Sequence, residues 1–179
     1  KHTLQSLVGL IVYYIVAVSI FEYVIHKYVT HSEHDFLPGS KLHKVHHNHR
    51  DPPDGKMKVE NCNQCNLLIT KGQANLLFLT GSLSMGIPAR IFLRANYSQI
   101  VAASLASMYY VLITWNTLHA DSHGELYRTY TGCDTYVRPS VIWASIHPFR
   151  RFINANHIRH HTTQGTLRFN TTVPLIGDA

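Results

Sequence analysis

The sequence predicts an all-α fold: a multi-pass bundle of membrane helices with a histidine-rich site for two metal ions at one end. Three patterns predict it. Apolar residues stand in blocks long enough to cross a bilayer, histidines stand in groups at helical spacing, and basic residues accompany those groups. A single domain, residues 1–179, accounts for the chain, which opens on Lys1 as a fragment of a longer protein would.

Leu4 to Ile25 (LQSLVGLIVYYIVAVSIFEYVI) carries one charge, Glu22, and matches the roughly 20 residues that hydrocarbon requires. Tyr97 to Leu118 (YSQIVAASLASMYYVLITWNTL) carries none, and Trp115 and Asn116 sit near its end, where interfacial side chains belong. Between them, Ala74 to Leu93 is weaker because it holds Pro88 and Arg90, and a charge at mid-membrane costs about 2.5–3.5 kcal/mol. Arg90 lies near the end and can snorkel. The expected spans are therefore 4–25, 74–93 and 97–118. Core helices of a soluble protein are the competing reading, but three such lengths exceed their usual range.

The formal charge of +6 raises the question of nucleic acid. No run of Lys and Arg interleaved with aromatics occurs, so nucleic acid is set aside. Three cysteines, Cys62, Cys65 and Cys133, make an odd number and argue against a disulfide framework. The Cys62/Cys65 pair is half of a zinc site with no second pair, which reads as a solvated loop.

Fourteen histidines are far more than usual, and eleven stand in groups. In order these are HKYVTH (His26, His31), HKVHH (His43, His46, His47) with His49 just beyond it, HADSH (His119, His123) and HIRHH (His157, His160, His161). Residues three and four apart share a helical face, so HxxHH aims three imidazoles at one point and HxxxH two. His26 and His31 are five apart, about 140° around a regular helix, so the helix must end or distort there. Neutral imidazole suits iron, copper, nickel and zinc, and ten such ligands would serve two metals. His2, His34, His49 and His147 do not converge by spacing and read as bystanders.

Topology adds a check. Two crossings separate the groups near His26–His49 from those near His119–His161, so all can meet on one side. Lys27, Lys41, Lys44, Arg50, Lys56, Lys58 and Lys71 flank the first set and six arginines follow Leu118, against Lys1, Arg90 and Arg94 on the other side. The positive-inside bias makes the histidine face cytoplasmic. Glu22, four residues before His26, and Asp121 and Glu125, which bracket His123, could accept the N–H of a ring nitrogen that does not bind metal. The alternative for each is a helix-end charge in solvent.

HKYVTH after a membrane helix, HKVHH, HADSH after a helix hairpin and NHIRHH, in that order, resemble the fatty acid hydroxylase/sterol desaturase superfamily of membrane di-metal oxygenases. The resemblance runs from about Phe21 to Ala179 and includes FNTTVPLIGD after the last box. It implies a cytosolic helical cap on the bundle and a di-iron centre held by the ten histidines His26, His31, His43, His46, His47, His119, His123, His157, His160 and His161. It further implies dioxygen as co-substrate, electrons from a cytochrome b5-like or ferredoxin-like donor with its reductase, and, in a eukaryote, the endoplasmic reticulum membrane. The expected activity is hydroxylation of a lipid C–H bond, with desaturation as the alternative, and zinc can replace iron in purified protein. The sequence departs from the family in a short gap from His31 to His43, a long gap from His123 to His157, and three visible crossings where four are common.

That long gap mixes Trp143, Phe149 and Phe152 with Arg150 and Arg151, which suits either a segment in the membrane interface, over the substrate entrance, or a peripheral loop. Two other classes stay open: a non-catalytic metal carrier or sensor, and a bis-histidine haem protein. A carrier usually sets its ligands within the span, and a haem protein uses isolated histidines on facing helices.

Overall fold

A computed structural model describes residues 2–32, 40–50, 68–126, 137–163 and 172. The described residues are mostly helical and contain no strand. Helix α1, His2–Val24, runs on into a π-helical turn, Ile25–Thr30. Then come α2, Ser40–Arg50, and α3, Lys71–Phe92. Helix α4, Tyr97–Thr114, continues through a second π-helical stretch, Trp115–His119, into the short α5, Ala120–Ser122. The short α6, Val141–Ile146, and α7, Arg150–Thr162, complete the order.

Helices α3 and α4 form a hairpin whose starts are written in the sequence. Thr70 and Asn96 each close a capping box, with Gln73 and Gln99 three residues on, so the first free N–H groups of both helices are satisfied. Between the helices Arg94 adopts φ 52°, in the left-handed region, to turn the chain. Arg90 donates to the Ala95 carbonyl at 3.1 Å and lies over the Tyr97 ring, so its charge closes the turn instead of interrupting the helix. Pro88 sits inside α3 without ending it. Gly86 is required by close approach, since a Cβ there would stand 2.9 Å from Ile100 Cγ2 of α4.

Helix α1 packs on this hairpin through Leu10, Tyr14 and Val18, against Met85, Ala89, Ile100 and Met108. Tyr14 meets Ser104 Oγ at 3.1 Å and Tyr13 donates to the Met85 carbonyl at 2.7 Å, so the polar tips of this buried and this half-buried ring find partners. A smaller core of Leu118, Leu126, Ala144 and Ile153 joins α6 and α7 to the end of α4.

The outward faces are as apolar as the core. Leu76, Leu79, Leu83, Ile87 and Ile91 make an exposed stripe along α3, and Val8, Ile11, Val12, Ile15 and Ile20 do the same on α1. Among the described residues, two helices are long and apolar enough to cross a membrane: Val8–Thr30 (23 residues) and Tyr97–Ser122 (26 residues). Helix α3, where a third pass was expected, has 22 residues and is not among them; Gln73, Asn75, Pro88 and Arg90 dilute it.

Candidate metal centre

The helix bearing His26 and His31 does distort. The π-helical turn replaces the α-helical repeat with a wider one, and the His31 N–H reaches the His26 carbonyl, five residues back, at 3.1 Å. Both rings thereby face the same way, 5.1 Å apart between centroids. A second π-helical stretch ends at His119, so both long apolar helices loosen where they present imidazoles.

The ten histidines chosen by spacing come together. His46, His119, His123, His157 and His161 form one group, and His26, His31, His43 and His160 form another; within each, one ligand atom per residue lies within 4.8 Å of all the rest. Helices α2 and α7 contribute to both groups. His47 belongs to neither by that measure, but stands between them: its Nε2 is 3.2 Å from His43 Nε2, and its ring stacks on His161 at 4.3 Å.

Hydrogen bonding among the rings cannot explain this arrangement. His43 Nε2 lies 3.2 Å from His26 Nε2, 2.8 Å from His31 Nε2 and 3.2 Å from His47 Nε2. His46 Nε2 lies 3.2 Å from the Nε2 atoms of both His119 and His161. A neutral ring nitrogen holds either one proton or one lone pair, so it satisfies one such neighbour and repels the others. Convergence of lone pairs is relieved by a cation at the focus, and these buried clusters could hold metal ions.

The electrostatics agree. Burial first, and the neighbouring histidines second, push His43, His46 and His157 well below the usual imidazole range. The same causes bring His31 to about 3 and His47 to about 2. These rings are neutral at pH 7, the form that binds metal. Nδ1 of His43 and His46 is buried without a hydrogen-bond partner among the described residues.

Asp121 takes another role than that of a ring acceptor. Asp121 accepts from Arg150 Nε and Nη2, both at 2.7 Å, and from Asn154 Nδ2 at 2.5 Å, so it binds α7 and not an imidazole. Glu22 accepts from the Thr172 amide at 2.8 Å and from its hydroxyl at 2.6 Å. Glu125 is buried just beyond His123, after Gly124 at φ 71°. Spacing gave no sign of Arg150, Asn154 or Thr172 as partners, because each pairing joins distant stretches of chain.

His147 lies outside both groups, yet it is buried, with Nε2 3.2 Å from the Tyr110 hydroxyl. His34, Cys62, Cys65 and Cys133 fall outside the described residues, as do the side chains of His2 and His49.

A cavity of about 310 Å³ opens among α1, α3 and α4. Val18, Phe21, Ile25, Leu76, Met108 and Val111 make most of its wall, and His26 and Trp115 are also part of it. Trp115 packs on His26 at 5.5 Å and on His119 at 5.0 Å, so one indole touches a member of each histidine group. No residue of Val141–Phe152 lines this cavity.

Comparison with family models, curated proteins and solved structures found no match to this chain.

Proposed function

We propose that this chain is an integral membrane oxidoreductase that binds two iron ions through its histidines and uses dioxygen and external electrons to hydroxylate a lipid C–H bond. One observation carries the reading: buried, neutral imidazoles converge on two adjoining foci, and through His26 one of these meets an apolar cavity. The all-nitrogen donor set suits iron, copper or zinc and not calcium or magnesium. The order of the histidine groups, by its resemblance to the fatty acid hydroxylase/sterol desaturase superfamily, favours iron. When bound, iron supplies the redox chemistry: a C–H bond, one dioxygen, two electrons and two protons give an alcohol and water. Loss of a second hydrogen, giving an alkene and two waters, is the alternative outcome at the same centre.

The protein's own contribution is local. Val18, Phe21, Ile25 and Met108 bury an apolar chain by the hydrophobic effect and exclude water. His26 and Trp115 bring that chain against the metal ligands. A protein–lipid boundary is supported by the exposed apolar faces of α1, α3 and α4, since only 28% and 44% of the two most apolar windows are buried, whereas a soluble core helix is mostly buried. On this reading α3 is the third pass, and the histidines face the cytoplasm with the lysines and arginines. An electron donor of the cytochrome b5 or ferredoxin kind, with its reductase, docks on that face.

Lipid mass spectrometry of cells with and without the protein tests the reading. A lipid gaining one oxygen, or losing two hydrogens, supports it. Unchanged lipids, with purified protein that consumes no dioxygen when given a reductant, would leave a metal carrier.

A further inference from the structure

Helix α6 and the start of α7 present two different faces. Inward, Trp143 Nε1 donates to Thr114 Oγ1 at 3.1 Å and its ring packs edge-on to Tyr110 at 6.0 Å, while Ala144 and Ile153 are buried against Leu118. Outward stand Ile142 (73% exposed) and Ile146 (65%), four apart on one side of α6, followed by Phe149 (57%) and Phe152 (50%). Large apolar side chains crowded on so short a stretch mark a surface that meets something apolar.

We propose that Val141–Phe152 lies flat in the bilayer interface, with Ile142, Ile146, Phe149 and Phe152 among the acyl chains and Arg138 and Arg151 on anionic headgroups. The inference rests on the membrane reading above. Two observations favour a lipid surface over a protein partner. First, Arg138 and Arg151 flank the apolar face, are exposed, and form no ion pair among the described residues, so their charge complements an anionic surface. Second, the patch continues an apolar surface already present. Tyr110, which packs on Trp143, follows Tyr109, and Tyr109 ends the exposed row Val101, Leu105, Tyr109 along α4, a helix long and apolar enough to cross a membrane. A bilayer that reaches Tyr109 reaches α6.

The test uses the whole chain in bilayers, with Cys62, Cys65 and Cys133 replaced by Ser and a nitroxide placed by Ile142→Cys, Ile146→Cys or Phe152→Cys. Leu105→Cys serves as control. Collisional relaxation by oxygen, which concentrates in lipid, is compared with that by a water-soluble nickel chelate. Labels on the α6–α7 face should favour oxygen severalfold, as the control does. Adding anionic lipid should raise that ratio, and Arg138→Gln with Arg151→Gln should remove the rise. Strong nickel relaxation at these sites with an oxygen-favouring control overturns the proposal alone. Weak relaxation by both reagents means that protein, a second copy or a partner, covers the face, and overturns it too. Nickel relaxation at Leu105→Cys as well would overturn the membrane reading on which it rests.

Discussion

The Arg150 guanidinium grips the Asp121 carboxylate with two bonds of 2.7 Å. Asp121 sits between His119 and His123, and Arg150 opens the helix that carries His157, His160 and His161. One planar contact thus ties two of the histidine groups in register, and the geometry suits Arg in a way that Lys cannot copy. Asp121→Asn or Arg150→Gln should destabilise the fold by about 1–3 kcal/mol, the scale of a charge-assisted hydrogen bond. Either should also lower bound metal, with Arg150→Lys restoring part of it. Thermal melting and metal per folded chain read the two effects, and unchanged metal content in both variants would remove the contact from the centre's assembly.

The histidines should divide by position. His46→Ala and His123→Ala remove ligands from the five-member group, and His160→Ala removes one from the four-member group. Each should lower metal from about two per chain. His47→Ala should cost less metal than His43→Ala, because His47 stands between the groups and completes neither. His147→Ala should keep the metal and lose the hydrogen bond to Tyr110 and the ring contacts with Trp143 and Phe149. Full metal in His123→Ala with loss in His147→Ala would reverse the assignment.

How much of this was legible in the sequence follows from the range of each interaction. The distortion between His26 and His31 could be read from a five-residue spacing, because a regular helix cannot turn both rings inward. The capping boxes at Thr70 and Asn96 are equally local. The grip of Arg150 on Asp121 and of Glu22 on Thr172 could not be read, since each joins stretches 29 and 150 residues apart and leaves no periodic trace. Carboxylates near histidines were therefore expected to serve the rings, and Asp121 instead serves the helix that carries other rings. The third apolar stretch forms a helix with an outward leucine stripe, but its polar start and Arg90 blur the hydropathy that marks the other two.

Topology offers an independent check. If α1, α3 and α4 all cross, tags after His49 and after His161 should report one compartment and a tag at Arg94 the other. Protease protection in sealed vesicles measures this. Finding the first two tags on opposite sides would rule out a shared histidine site.

Filling the cavity should separate substrate binding from metal binding. Val111→Trp or Met108→Trp places bulk against an acyl chain without touching a ligand. Overpacking of this kind costs about 1–3 kcal/mol, so lipid oxidation should fall by roughly tenfold or more while metal per chain stays unchanged. Equal activity in both variants would mean that the substrate lies elsewhere.

Activity should require iron even where purified protein holds zinc, since zinc outranks ferrous iron for nitrogen ligands. Chelation followed by iron loading should restore turnover and zinc loading should not. Full turnover by protein containing zinc and free of iron would contradict this.

The most direct test of the account is the fate of dioxygen. Iron-loaded protein in bilayers of native lipid, reduced chemically and then exposed to isotopically heavy dioxygen, should yield a lipid carrying one heavy oxygen atom, or an alkene with the label in water. His123→Ala protein treated alike should yield neither. Iron-loaded, folded protein that leaves every lipid unlabelled and unsaturated no further would contradict the proposed oxidation.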